Sequence, residues 1–212
     1  MNIYEEISEN LQRGKAKNVS ELVTQALEKN CDPVEILNKG MIAGMNVIGG
    51  KFKRNEVFVP QVLVAARAMN AGLTVLRPAL ARVGAEPLGT AVICTVQGDM
   101  HDIGKNLVKL MLEGQSIECI DLGVDVPAQK VVEAVREHNP QLVCLSALLT
   151  TTMLRQREVI EALEEAGLRD KVKVMVGGAP ITQEFADEIG ADAYTKDAAS
   201  AATRACELLV GV

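Results

Sequence analysis

The residues best suited to chemistry lie in the segment V-Q-G-D-M-H-D-I-G-K-N, residues 96–106. The segment contains His101, one of only two histidines in the chain, with Asp99 two residues before it and Asp102 directly after it. An imidazole beside a carboxylate can act as a general base, begin a catalytic triad, or bind a metal while the acid orients its other ring nitrogen. The spacing therefore indicates proton transfer or metal ligation.

Several familiar sites are not indicated around this histidine. No nucleophile elbow accompanies it, and His138 falls on a different predicted helix, so neither a hydrolase triad nor a zinc site of three or four ligands is predicted. The glycine spacing matches neither a dinucleotide fingerprint nor a P-loop. From the residues alone, three interpretations of His101 stay open: a structural histidine, an acid–base histidine, and a single protein ligand to a metal held in a macrocycle.

The segment follows an apolar run, and similar runs recur with helical stretches between them. The predicted strands are 90–96, 117–122, 142–148, 172–178 and 191–194. The predicted helices are 103–114, 127–138, 152–166, 182–189 and 196–210. Apolar strands that alternate with helices predict a doubly wound, Rossmann-like parallel sheet of five strands. Such sheets bind ligands beyond the carboxyl ends of their strands, which is where residues 96–106 fall.

The first 85 residues show helical periodicity instead. Four amphipathic helices are predicted: 3–13, 18–29, one from the Asp32–Pro33 cap to Gly49–Gly50, and 60–83, which Pro78 should kink or end. Residues 85–89 are predicted to be a linker. The predicted fold class is therefore α + α/β, with an N-terminal four-helix bundle at 1–86 followed by the α/β domain at 87–212.

Composition narrows the classes of function. The chain has 212 residues and a net charge of −6, without the basic face that duplex nucleic acid needs. Aromatic residues make up 2%, too few for a sugar-binding or base-stacking platform. The sequence contains no run of eighteen apolar residues, so no membrane span is predicted. The N-terminus lacks the apolar core of a secretory signal, and a cytoplasmic location is therefore expected.

A structural role is predicted for the other residues that could have taken part in chemistry. Five cysteines form no CxxC pair, and Cys94 and Cys144 are predicted to be buried, reduced thiols in strands. Lys105 and Asn106 are interpreted as solvated residues of a first helical turn, and His138 as an exposed residue at the end of a helix.

Three separated motifs occur in a characteristic order. Asp99-x-His101-x-x-Gly104 is followed by L-S-A-L at 145–148 and by Gly177–Gly178. The helical half contains G-M-N-V-I-G-G-K-F at 44–52 and F-V-P-Q-V-L-V-A-A-R-A-M at 58–69. Together they resemble the cobalamin-binding module, and the helical cap before it, of cobalamin-dependent methyltransferases and their corrinoid carrier proteins. The resemblance covers nearly the whole chain.

The resemblance implies a role for each matched residue. His101 would replace the lower base of the corrinoid on cobalt, Asp99 would accept a hydrogen bond from its other ring nitrogen, and Thr152 would continue the relay where the family usually has serine. The other implied contacts with the corrin and its nucleotide tail are Gly98, Met100, Asp102, Ile103, Gly104, Ser146, Leu148, Thr150, Gly177 and Gly178. Phe52, Val59 and Val62 would cap the upper face of the corrin, with valine at 59 where leucine is usual.

The function implied is that of a non-catalytic corrinoid carrier in one-carbon metabolism. A substrate:corrinoid methyltransferase would place a methyl group on cobalt, and a second methyltransferase would pass it to tetrahydrofolate or coenzyme M. A reductive activase would be a third partner, and neither nucleic acid nor membrane is expected as one. Methylamines, methanol, aryl methyl ethers and betaines all stay open as donors. The alternative is a cobalamin-binding sensor or regulator, which would normally carry a DNA-binding domain ahead of these modules.

Overall fold

The computed structural model of the protein describes residues 2–211. The chain separates into two compact units, one running to Pro87 and including residues 114–116, the other made of residues 88–113 and those from 117 onward. The domain ranges 1–86 and 87–212 stay predictions from sequence. Each unit is described by itself.

The first unit is a bundle of four helical rods. Its elements are α1 (Ile3–Gln12), α2 (Ala16–Glu28), α3 (Pro33–Glu35), a π-helical segment (Ile36–Ile42), α4 (Ala43–Lys53) and α5 (Val59–Arg82). The third rod is continuous from α3 to α4. Asp32 caps it as predicted, since its carboxylate accepts a hydrogen bond from the amide of Val34 at 2.7 Å. The predicted four-helix bundle is confirmed.

The predicted end of the third helix is wrong, whereas the bounds predicted for the fourth, 60–83, agree with α5 to one residue. The third rod runs through Gly49–Gly50 to Lys53, and α5 runs through Pro78 to Arg82. Proline removes one hydrogen bond to the carbonyl four residues earlier, which is most costly where water cannot replace it. Pro78 and Thr74 are both exposed, so solvent can satisfy that carbonyl. Glycine in a helix costs only about 0.5–1 kcal/mol relative to alanine, which the packed rod can absorb.

Close packing of α5 holds the bundle together. A Cβ added to Gly72 would lie 2.8 Å from Cε of Met41 and 2.9 Å from Cγ1 of Val19, so the glycine lets neighbouring helices approach. By length and composition α5 could cross a membrane. However, the Ala68, Met69 and Leu76 side chains of α5 are fully or almost fully buried, as in the core helix of a bundle.

The second unit is the predicted parallel sheet. The strands are β1 (Gly89–Val96), β2 (Ile117–Val126), β3 (Leu142–Ser146), β4 (Lys173–Gly177) and β5 (Ala193–Tyr194). The helices are α6 (Ile103–Glu113), α7 (Ala128–His138), α8 (Leu154–Glu165), α9 (Gln183–Glu188) and α10 (Ala198–Val210). All neighbours are parallel in the order β2-β1-β3-β4-β5. The direction of winding reverses between β1 and β3, so a ligand crevice opens beyond their carboxyl ends.

Strand β2 is longer than predicted. The sequence-based end at residue 122 is wrong, because pairing continues to Val126 through two irregularities in which Cys94 pairs with Gly123 and Val96 with Val126. Each irregularity inserts an extra residue and twists the strand. The last residues of β2 are thereby brought beside the loop that follows β1.

The centre of the sheet is mostly apolar. Cys94 of β1 and Cys144 of β3 are buried as predicted, and burial raises the pKa of each thiol to about 12.

Candidate functional site

The loop between β1 and α6 carries His101. Gly98 makes its first turn at φ +80°, a conformation that favours glycine. The hydroxyl of Thr95 donates to the carbonyl of His101 at 2.9 Å, and the amide of Asn106 donates to the carbonyl of Asp102 at 2.8 Å, which opens α6. The histidine is therefore held between a strand end and a helix start.

Asp99 is the centre of the site. Its Oδ1 accepts from Nδ1 of His101 at 2.7 Å and from the His101 amide at 3.1 Å. Its Oδ2 accepts from the amide of Leu148 at 2.7 Å, the hydroxyl of Thr152 at 2.7 Å and, at 3.4 Å, the amide of Leu149. The carboxylate thus joins the loops that follow β1 and β3.

This environment keeps Asp99 ionised. Burial alone would raise the pKa of Asp99, but the hydrogen bonds from Thr152, the Leu148 amide and His101 outweigh it and hold the pKa below its ordinary value. An ionised carboxylate only accepts hydrogen bonds, so Nδ1 of His101 is the donor in this contact. The His101 side chain is 51% exposed, so the imidazole is accessible to a ligand.

Exposed apolar side chains lie in or next to the two loops that meet at this polar centre. Met100 is 68% exposed and Ile103 is 76% exposed, and Leu148 and Leu149 are also exposed. Contiguous exposed apolar groups around a few fixed polar atoms are typical of a ligand site. Gly104 is open as well, because no described atom beyond its chain neighbours and its own helix backbone lies within 4 Å of where its Cβ would stand.

Strands β3 and β4 end beside the same crevice. Ser146 pairs with Gly177, and a Cβ on Gly178, at φ +133°, would fall 1.7 Å from the carbonyl oxygen of Ala147. Only glycine fits so close to the neighbouring backbone. Thr150, the fourth residue predicted to line the tail slot, is exposed in the loop after β3.

Gln156 was missed by sequence reasoning. Its side chain is fully buried, and its Nε2 donates to the carbonyls of Leu145 and Gly177 at 3.1 Å each, which ties the ends of β3 and β4 together. Its Oε1 has no hydrogen-bond partner among the residues described. A glutamine inside an amphipathic helix gives no signal of such a contact, because the contact depends on which face meets the sheet.

The interpretation of Lys105 as a solvated residue is wrong. Its side chain is buried and its Nζ lies 2.5 and 2.6 Å from the two carboxylate oxygens of Asp121 on β2. Burial would raise the pKa of Asp121, but the hydrogen bonds from Lys105, the Gly123 amide and Lys109, together with the charge of Lys105, outweigh it and lower the pKa. Asn106 is half-buried and donates to the carboxylate of Asp102 at 3.0 Å. His138 ends α7 and is exposed, as expected.

The predicted cap residues differ in exposure. Phe52 and Val59 are half-buried and Val62 is fully buried, so their role above a corrin stays a prediction. The most exposed phenylalanine is Phe58, at 63%, which the sequence analysis did not single out.

The donor set fits a metal that brings its own ligands. Across residues 2–211, no three His, Cys, Asp or Glu side chains converge to hold a metal ion. His101 offers one oriented nitrogen beside exposed apolar groups and a glycine open to close approach. A metal inside a large, mostly apolar macrocycle needs one such protein ligand, so these residues fit a corrinoid.

Comparison with known proteins agrees with this chemistry. A family model described as a B12 binding domain matches residues 89–205, and a second model of that description matches residues 3–77. The chain is 46% identical to dimethylamine corrinoid protein 2 of Methanosarcina acetivorans, covering 99% of this chain and 97% of that one. It is 48% identical to the trimethylamine corrinoid protein of Methanosarcina barkeri, covering 87% and 86%.

A solved structure gives the same result. The methanol:cobalamin methyltransferase complex MtaBC of Methanosarcina barkeri contains a chain that superposes with a TM-score of 0.85 at 32% identity, covering 99% of this chain and 80% of that one. The fold of the chain is therefore that of a known class. The chain belongs to the family of cobalamin-binding corrinoid proteins that serve as methyl carriers in methyltransferase systems.

Proposed function

We propose that this protein carries methyl groups from methylated amines, receiving them from an amine:corrinoid methyltransferase. The observation that supports binding of a corrinoid is the His101 imidazole, whose Nδ1 donates to Asp99 at 2.7 Å and whose side chain is 51% exposed, in a segment with the exposed apolar residues Met100 and Ile103. The corrinoid, when bound, supplies a cobalt that accepts a methyl group from one enzyme and yields it to another. His101 is proposed as its lower ligand.

The residues around His101 have the complementary task of keeping the imidazole in place. Asp99 accepts from two loops, and the contacts with Leu148 and Thr152 do not involve the imidazole. The carboxylate therefore keeps its position whether or not His101 is engaged with cobalt, and the imidazole is guided back to the same orientation. Gly98, Met100, Asp102, Ile103, Gly104 and Leu148 are proposed to line the corrin's lower side.

Two further regions are assigned by motif. Ser146, Thr150, Gly177 and Gly178 are proposed to hold the displaced nucleotide tail at the ends of β3 and β4. Phe52, Val59 and Val62 are proposed to keep water from the reactive upper face.

The donor class rests on the relatives. Proteins named for dimethylamine and trimethylamine match at 46% and 48% identity, while the chain in the methanol complex matches at 32%. A methylated amine is therefore the proposed donor, and tetrahydrofolate or coenzyme M the proposed final acceptor through a second methyltransferase. A reductive activase is the proposed third partner, and the cytoplasm the proposed location.

The test of ligation is spectroscopic. The full chain is reconstituted with hydroxocobalamin, reduced to cobalt(II), and examined by electron paramagnetic resonance for nitrogen splitting from a lower ligand labelled as 15N-histidine. We expect a histidine signal in the native chain and in His138→Ala, and none in His101→Ala. An identical histidine signal in His101→Ala would overturn the assignment.

The test of donor class is a transfer assay. The reduced, loaded chain is mixed with purified trimethylamine-, dimethylamine- or methanol-specific methyltransferase and its donor, and cobalt methylation is followed by absorbance. We expect methylation with an amine enzyme at least tenfold faster than with the methanol enzyme. Methylation by the methanol enzyme alone would contradict the proposal.

A further inference from the structure

Asp125, at the end of β2, contacts the loop that carries His101. Its Oδ1 accepts a hydrogen bond from the amide of Gly98 at 2.7 Å, and its own amide donates to the carbonyl of Asp99 at 3.0 Å. The two hydrogen bonds hold the turn directly before Asp99 from the β2 side. Neither the sequence motifs nor the family match assigns a role to this residue.

The backbone of Asp125 is unusual as well. It adopts φ +53°, in the left-handed region that non-glycine residues seldom enter, although aspartate and asparagine tolerate it better than most. It is also exposed, so burial does not explain the conformation. The conformation aims the carboxylate at Gly98 while the amide reaches Asp99, a pair of contacts that a regular strand end would not provide.

A second carboxylate of β2 restrains the other side of the loop. Asp121 holds Nζ of the buried Lys105 at 2.5 Å, in the first turn of α6. Asp121 also accepts from the amide of Gly123 at 3.0 Å, which fixes the carboxylate within the irregular part of β2. The loop from Gly98 to the start of α6 is thus anchored at both ends by one strand.

We infer that Asp125 is a positioning residue for His101, holding the Gly98–Asp99 turn so that the imidazole meets cobalt at the correct place. The inference rests on the proposed ligation by His101. Orientation of a ligand must be held to about 0.5 Å for a site to work, and a shift of the Asp99 backbone moves the carboxylate that aims Nδ1. Asp125 acts on cobalt only through that turn.

Three substitutions separate the hydrogen bond from the backbone conformation. Asp125→Asn keeps an acceptor oxygen and tolerates the left-handed region. Asp125→Gly suits that region but removes the acceptor. Asn139→Gly is the matched control, because Asn139 also lies in the left-handed region, at φ +46°, in the same unit and beyond α7.

Each variant is loaded with hydroxocobalamin, and three quantities are measured: the dissociation constant, the fraction of cobalt(II) with histidine splitting, and the thermal midpoint of the unloaded chain. We expect Asp125→Gly to bind about tenfold more weakly, the effect of one hydrogen bond of about 1.4 kcal/mol, with a lower histidine-bound fraction. Asp125→Asn should restore both values, and Asn139→Gly should change only the thermal midpoint.

The outcomes distinguish this inference from the proposal on which it rests. If the native chain shows no histidine splitting, ligation by His101 fails, and the positioning role fails with it. If the native chain shows splitting and Asp125→Gly matches it in affinity and histidine-bound fraction, only the positioning role is overturned. A loss of affinity in Asn139→Gly as large as in Asp125→Gly would also overturn it, by showing that stability alone sets the effect.

Discussion

The two units of the molecule hold their candidate residues by different forces. In the α/β unit, Asp99 accepts hydrogen bonds from several directions, and His101 is oriented by one of them. In the helical unit, Phe52, Val59 and Val62 have only apolar side chains, so packing alone can place them. Hydrogen bonds fix direction as well as distance, whereas apolar contacts fix little beyond volume. We therefore expect the α/β unit to tolerate substitution less.

The surroundings of two glycines show the same difference between the units. A Cβ on Gly178 would meet the backbone carbonyl of Ala147, which cannot move without moving β3. A Cβ on Gly72 would meet the Cε of Met41 and a methyl group of Val19, both at side-chain ends. Methionine is flexible and can repack, while valine is stiffer. The same substitution thus probes a rigid neighbour in one unit and an adaptable one in the other.

The largest effect is expected for Gly178→Ala. A Cβ only 1.7 Å from the Ala147 carbonyl oxygen and the unfavourable φ should lower the free energy of unfolding by roughly 3 kcal/mol or more, measured by urea denaturation. Gly190→Ala is the control, because Gly190 also has a positive φ but, beyond its chain neighbours, no described atom within 4 Å of its Cβ position. It should cost only about 1 kcal/mol. Equal losses in the two variants would mean that the close approach of β3 and β4 is unimportant.

The second largest effect is expected for Thr152→Val. Valine keeps the shape but removes the hydroxyl that donates to the Asp99 carboxylate, and a hydrogen bond to a charged group contributes about 1.5–3 kcal/mol. Denaturant unfolding should show a loss in that range, with a smaller histidine-bound fraction in the loaded protein. Thr152→Ser retains the hydroxyl and should stay close to the native chain. If Thr152→Val left the free energy of unfolding unchanged, it would contradict the view that hydrogen bonds place the residues of this unit.

Gly72→Ala tests how well the helical unit accommodates an added methyl group. Overpacking costs about 1–3 kcal/mol, but alanine regains about 0.5–1 kcal/mol in a helix, so a net loss of about 1 kcal/mol is expected. Combining it with Met41→Ala, which removes the Cε in the way, should give a loss smaller than the sum of the two single losses. Strictly additive losses would show that Met41 does not constrain this position.

Gly104→Ala should have the smallest effect on folding. Its Cβ would enter open space near the start of α6, so alanine should raise the free energy of unfolding by about 0.5–1 kcal/mol. Binding of hydroxocobalamin, measured by titration, should nevertheless weaken if a corrin approaches this backbone. Unchanged binding would remove Gly104 from the proposed corrin surface.

Much of the architecture was predictable because buried parallel strands are apolar throughout. The predicted and observed bounds of α6 and α8, for instance, differ by at most two residues at either end. The extension of β2 was not predictable, since Gly123 and Asp125 interrupt the apolar pattern. The π-helical segment was not predicted either, because its spacing of apolar residues is close to that of an ordinary α-helix.

Some contacts of the site were predictable from the sequence and others were not. Local spacing indicated that Asp99 and His101 would work together, and the structure places their side chains 2.7 Å apart. The contacts from the Leu148 amide, from Asp121 to Lys105 and from Asp125 to Gly98 depend on strand register and bulges. A motif records residue types at fixed separations, but register is a property of the assembled sheet, so these partners left no signal in the sequence.

The buried cysteines have a chemical consequence for a protein that transports an alkylating group. Cys94 lies on the strand that leads to His101, and thiolates, not thiols, are the sulfur species that attack carbon electrophiles. With a pKa of about 12, fewer than roughly one in 10,000 molecules carries the Cys94 thiolate at neutral pH. Cys144 on the adjoining strand has the same protection. Burial therefore keeps Cys94 and Cys144 in the thiol form, which attacks carbon electrophiles poorly.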